Sequence, residues 1–118
     1  MRYLTNAFSI QMLSGLLRHD KDTIVQFRLL ETEEVKEMLL TKEFVNAIGH
    51  QGTVEFLNKM FGLNLTVERR QITVNHGDTL IVVMPFGARL PPGTELTAKK
   101  MMELHGQGLV KFIKVAVP

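Results

Sequence analysis

The run Ile48-Gly49-His50-Gln51-Gly52-Thr53 places one imidazole between glycines, where an apolar stretch ends and a helical pattern begins. Histidine gains and loses a proton nearest neutral pH, glycine lets backbone approach a ligand closely, and a helix N-terminus turns unpaired amides toward anions. Together these suit acid–base work on a phosphate group. Arg89 is the second candidate, in the loop Phe86-Gly87-Ala88-Arg89-Leu90-Pro91-Pro92-Gly93 ahead of a further helix. Its planar guanidinium suits a phosphate that the Gly93 and Thr94 amides also approach. Asn6 and Ser9 offer hydrogen bonds to a sugar or base, and equally serve as plain helix caps.

Other chemistries find no support in the residue pattern. There is no cysteine, which excludes a disulfide framework, a zinc–thiolate site and thiol catalysis, and agrees with a reducing cytoplasm. His19, His50, His76 and His105 lack the spacing of helical metal ligands, so no metal is expected. No GxSxG elbow, no phosphate loop ending in Gly-Lys-Ser/Thr and no GxGxxG after a strand is present, so the common hydrolase and nucleotide-cofactor signatures fail and no cofactor is expected. His76 is expected at a turn tip and His105 at a helix C-terminus, where a cation is favoured. The 118 residues are 45% apolar and 22% charged with a net charge of +2. These values fit one folded domain spanning 1–118, expected in the cytoplasm, with no membrane span and no stable DNA partner.

The elements that must position these residues read as an α/β domain. Arg2 to Thr5 is a short strand turning at Asn6-Ala7-Phe8-Ser9 into a helix begun by Ile10-Gln11-Met12-Leu13. Thr23 to Leu30 alternates, with Val25, Phe27 and Leu29 on the face expected to be buried. Acidic Thr32-Glu33-Glu34 opens a helix reaching about Leu40. Phe44, Val45 and Ile48 form an apolar patch of open type. Thr53 is placed to cap a helix whose stripe is Val54, Leu57, Met60 and Phe61, with Gly62 as its stop. Val67 to Val74 and Thr79 to Met84 read as a hairpin around Asn75-His76-Gly77-Asp78. Thr94 or Thr97 caps a helix carrying Leu96, Met101 and Leu104, and Leu109 to Val117 is a last strand. The sum is a mixed sheet of about five strands flanked by helices.

Three segments, Asn6-Ala7-Phe8-Ser9-Ile10-Gln11-Met12-Leu13, Ala47-Ile48-Gly49-His50-Gln51-Gly52-Thr53 and Arg89-Leu90-Pro91-Pro92-Gly93, resemble in this order the signatures of the viral ring nuclease family, the type III anti-CRISPR proteins of archaeal viruses and phages. The resemblance extends to Gly108-Leu109-Val110-Lys111-Phe112. It implies a cytoplasmic homodimer, in the host cytoplasm if virus-encoded, that binds the second messenger cyclic tetra-adenylate and cuts it without metal into linear di-adenylate. Relatives also include host-encoded ring nucleases that tune the same signal. By this likeness His50 is catalytic, Arg89 holds phosphate, and Asn6, Ala7, Phe8, Ser9, Gln11, Gly49 and Gln51 line the ligand cavity. The chain departs from the family where asparagine gives way to Gln11, an acidic residue and serine to Gln51-Gly52, and glutamate to Pro92. Glu95 lies one turn beyond Pro92 as a replacement carboxylate.

Ring RNA carries its own nucleophile, the 2′-hydroxyl, so the protein has only to align it with the phosphorus and manage protons and charge. The resemblance therefore implies His50 as general acid to the 5′-oxygen and Arg89 on the phosphoryl oxygens, giving a 2′,3′-cyclic phosphate. Two alternatives stand beside it: a protein that sequesters the ring uncut, and a small nucleic-acid-binding regulator using Arg69, Arg70 and nearby cations.

Overall fold

A computed structural model of the chain describes residues 1–87 and 90–118. In order, the described elements are β1 (Arg2–Thr5), α1 (Ser14–His19), β2 (Gln26–Leu30), α2 (Thr32–Thr41), β3 (Val45–Ala47), α3 (Gln51–Phe61), β4 (Thr79–Pro85), α4 (Ala98–Gly106) and β5 (Val110–Ala116). A 3-10 turn, Ile10–Leu13, leads into α1. The strands form one five-stranded sheet in the order β2-β5-β4-β1-β3. β1 runs parallel to β3 and β4, and β5 runs antiparallel to β4 and β2. The expected α/β domain with a mixed sheet is thus observed, and the patch of open type around Phe44 to Ile48 supplies β3. Among the described residues no helix is long and apolar enough to cross a membrane.

The two faces of the sheet are treated differently. On one, Leu4, Ile81, Val83 and Phe112 meet Val35 and Leu39 of α2, Val54, Leu57 and Phe61 of α3, and Met101 and Leu104 of α4. Each such side chain contributes roughly 1.5–3 kcal/mol through its removal from water, which makes this the principal core. On the other face Leu13, Leu16, Ile72 and Val74 cover Ala47, Leu80, Val82, Val115 and Val117. That cover stops short of β2. Phe27 and Leu29 remain 62% and 61% exposed, so the apolar face expected to be buried in this strand stands open in the single chain.

The expected hairpin does not form. Both hydrogen-bonding edges of β4 are taken, one by β1 and one by β5, leaving no place for residues 67–74 in the sheet. The turn itself exists, closed by the Asp78 amide donating to the Asn75 carbonyl, with Gly77 at a φ of 87°. The preceding stretch is a strap across the second face. It is tied by Asn58, whose side chain both donates to and accepts from the Leu65 backbone, by Asn46 donating to the Thr66 carbonyl, and by the Glu68 amide donating to the Ile48 carbonyl. Its alternation is real, since Ile72 and Val74 are buried while Gln71 and Thr73 are exposed; it packs a strap instead of a strand.

Candidate functional site

The register Thr5↔Ala47 aligns the carboxyl ends of the parallel strands β1 and β3, where open α/β sheets commonly place ligands. The chains leaving them meet at once. Asn6 Oδ1 accepts the Gly49 amide at 3.0 Å. From the opposite side Arg69 Nε donates to the Gly49 carbonyl at 3.3 Å. The two peptide groups flanking Gly49, just before His50, are therefore each held by a side chain, and a Cβ on Gly49 would lie 3.2 Å from Arg69 Cγ, so glycine leaves the arginine its place.

His50 is the N-cap of α3, with φ −130° and ψ 121°, and its ring makes no capping bond. The sequence reading gave the cap to Thr53. That residue is instead buried two positions into the helix, because α3 begins at Gln51 and its first turn turns inward. The His50 ring is exposed at the positive end of an 11-residue helix whose stripe of Val54, Leu57 and Phe61 fixes its seat on the sheet, and Gly62 ends the helix at a φ of 67°.

Opposite the first turn of α3 lies the segment leading into α4. The approach is close: a Cβ at Gly52 would stand 1.8 Å from the Leu96 carbonyl oxygen. Thr97, one of the two expected caps, accepts the Lys100 amide at 3.1 Å and starts α4. The result is a cleft of about 380 Å³ lined by Gly49, His50, Gln51, Glu55, Arg69 and Glu95, with Gly52, Leu96 and Thr97 as its tight side. Imidazole, guanidinium, two carboxylates and a helix N-terminus converge there, a set able to hold a phosphodiester, donate a proton and accept another.

Of the residues singled out from the sequence, His50, Glu95, Gly49 and Gln51 line this cleft, and Asn6 reaches it through its bond to Gly49. Arg89 lies outside the described residues. Ala7, Phe8, Ser9 and Gln11 do not line it. The Ala7 amide donates to Thr5 Oγ1, Ser9 precedes the 3-10 turn without a side-chain cap, and Gln11 is exposed within that turn. Phe8 turns toward the open half of the sheet and packs edge-on against Phe27 at 5.7 Å between ring centres.

Two cleft residues had no place in the phosphate site read from the sequence. Arg69 was read only as one cation of the nucleic-acid alternative, and the strap brings it to Gly49. Glu55 accepts from Gln51 Nε2 at 3.0 Å; the four-residue spacing on one helix was the available signal. Outside the cleft, His105 does sit in the last turn of α4, and its Nε2 lies 3.4 Å from Thr32 Oγ1.

The sequence profile of the STIV B116-like family matches residues 2–111. The chain belongs to that family. Protein 26 of Sulfolobus islandicus filamentous virus is 27% identical over 112 residues, covering 95% of this chain and 90% of that one. ORF116 of Acidianus filamentous virus 1 is 29% identical over 110 residues, covering 93% and 90%. The solved structure of B116 of Sulfolobus turreted icosahedral virus superposes with a TM-score of 0.75 at 30% identity, covering 98% of this chain and 97% of B116. The sheet, helices and strap described above are thus the architecture of a STIV B116-like protein.

Proposed function

We propose that this STIV B116-like chain is a metal-independent ring nuclease that binds cyclic tetra-adenylate as a homodimer and cuts it to linear di-adenylate, dampening type III CRISPR signalling. The observation that carries the reading is the convergence of the His50 ring, Arg69 and Glu95 around one cleft at an 11-residue helix N-terminus. Three signature segments resembling the viral ring nucleases supply the substrate class.

In each cut the ribose 2′-oxygen forms a bond to phosphorus while the bond from phosphorus to the 5′-oxygen breaks. Glu95 accepts the 2′-hydroxyl proton and His50 donates one to the departing 5′-oxygen. Arg69 and the opening amides of α3 offset charge on the phosphoryl oxygens, with Arg89 added by the family likeness. No water is consumed and the product ends in a 2′,3′-cyclic phosphate. A general acid of this kind contributes roughly 10²–10⁴-fold. Two copies, each with one His50, match a ring with two-fold symmetry and deliver two cuts.

The test is a product assay with cyclic tetra-adenylate in EDTA, comparing wild type with His50→Ala. Conversion to di-adenylate that is lost in the variant supports cleavage, and an unchanged rate in His50→Ala overturns the assigned role. Pro92, standing where the family carries glutamate, favours a second reading in which the ring is held uncut; tight binding of intact ring by wild type without product would select it. The nucleic-acid reading is disfavoured by the tie of Arg69 to Gly49.

A further inference from the structure

The proposed cleavage leaves two cleft residues without a task, Gln51 and Glu55, one turn apart at the start of α3. Side chains lean toward the N-terminus of their helix, so Glu55 reaches back toward Gln51 at the cleft. Its Oε1 accepts from Gln51 Nε2 at 3.0 Å. A carboxylate only accepts, and this decides how the amide is turned, with nitrogen toward Glu55 and Oε1 away from it. A flipped amide would set oxygen against oxygen. One N–H is committed to Glu55, and Oε1 with the second N–H is left for a ligand. Such a pair adds little to the stability of a helix, so its interest lies in what it presents to the cleft.

The cleft thus has two kinds of wall. His50, Arg69 and the opening amides of α3 donate, and suit the phosphodiester. Gln51 Oε1 and the Glu55 carboxylate accept, and turn phosphate away. What a nucleotide can set against an accepting wall is the edge of its base. Adenine carries there an amine beside an acceptor nitrogen, and a glutamine amide pairs with both. Hypoxanthine carries an oxygen in place of the amine, which a free amide meets by flipping and an amide held by Glu55 does not. We infer that Gln51 reads an adenine of the ring at each site, and that Glu55 is the positioning residue that fixes its amide for that base. This role rests on the ring-nuclease reading and adds to it the group that tells one base from another.

Binding of cyclic tetra-adenylate and of cyclic tetra-inosinate, measured at equilibrium in EDTA on a His50→Ala background that keeps both rings whole, tests the pair. Should that background bind no ring, the same ratio is read from kcat/KM with His50 intact. The background protein is expected to prefer the adenylate ring about 5–150-fold, the range for one bidentate base contact. Adding Glu55→Gln keeps the size of the side chain but lets it donate as well as accept, which frees the Gln51 amide to flip. The preference is then expected to fall toward unity through a gain in inosinate binding. Loss of a negative charge beside a polyanion strengthens both rings alike, so the ratio is what decides. Adding Gln51→Ala instead is expected to erase the preference through weaker adenylate binding. Both positions are exposed, so neither change disturbs the core. No preference at the outset, or a preference that either added substitution retains, overturns the inference while ring binding stands. If wild type and the background protein bind neither ring, the ring-nuclease reading falls and this role with it.

Discussion

Asn6 Oδ1 and the Gly49 amide, 3.0 Å apart, join the end of β1 to the residue before His50 across 43 positions of sequence. Removing the acceptor leaves a half-buried amide unpaired, at a cost of about 1–3 kcal/mol. Asn6→Ala is therefore expected to lower stability by that amount in urea titration and to reduce ring cleavage. Asn6→Asp keeps an acceptor in place and is expected to recover most of the loss; equal damage from both variants would count against the hydrogen bond.

Gly52→Ala tests the closeness of α3 to the segment before α4. With only 1.8 Å available between a new Cβ and the Leu96 carbonyl oxygen, backbone must move. Overpacking of this kind costs about 1–3 kcal/mol. A lower melting temperature by circular dichroism is expected, together with weaker ring binding as the Leu96 side of the cleft is pushed away from α3.

His50→Ala and Arg69→Ala are expected to fail differently. The first should cut kcat by roughly 10²–10⁴-fold while ring binding persists. The second should weaken binding as well, because Arg69 both faces the cleft and holds the Gly49 carbonyl. Arg69→Lys lacks the forked planar donor set and is expected to restore little. Single-turnover rates and equilibrium ring binding, measured side by side, separate the two patterns.

His76 gives the fold a pH dependence away from the cleft. Its Nδ1 faces the Pro118 carbonyl at 2.9 Å and its Nε2 faces Asp20 Oδ2 at 3.0 Å. Both partners accept, so the ring donates from both nitrogens only when protonated. The Pro118 carbonyl first, and then Asp20, raise its pKa above the ordinary value. The contribution is thus fully present below about pH 6.5, the unfolded value, and disappears as pH rises through the higher folded value. Melting temperature should fall over that window in wild type, and the fall should be smaller in His76→Ala; NMR titration of the ring reports the shift directly.

Local patterning carried much of this architecture. Glu33 and Glu34 stand in the first turn of α2, Thr97 caps α4 and Gly62 ends α3, each recognisable from residue type and spacing alone. The candidate site was partly legible for the same reason: His50, Gly49 and Gln51 are consecutive, and Glu95 was found by its offset from Pro92. What escaped was non-local. Residues 67–74 alternate as a strand should, and only the prior claim of β1 and β5 on the edges of β4 turns them into a strap. Arg69 rides on that strap, so its place beside Gly49 could not be read from its neighbours. Phe27 and Leu29 are written as buried residues, and one chain offers nothing to bury them.

The parallel pairing of β1 with β4 has a consequence for how the protein is made. Arg2 is opposite Thr79 and Thr5 opposite Val82, so β1 leaves the ribosome well before the strand it pairs with. Contacts of such long range are slow to close. A nascent chain ending before Thr79 already contains Asn6, Gly49, His50 and Arg69, yet it lacks the strand that seats β1 in the sheet. The candidate site is therefore expected to assemble only after β4 has been made, when the sheet can close around β1.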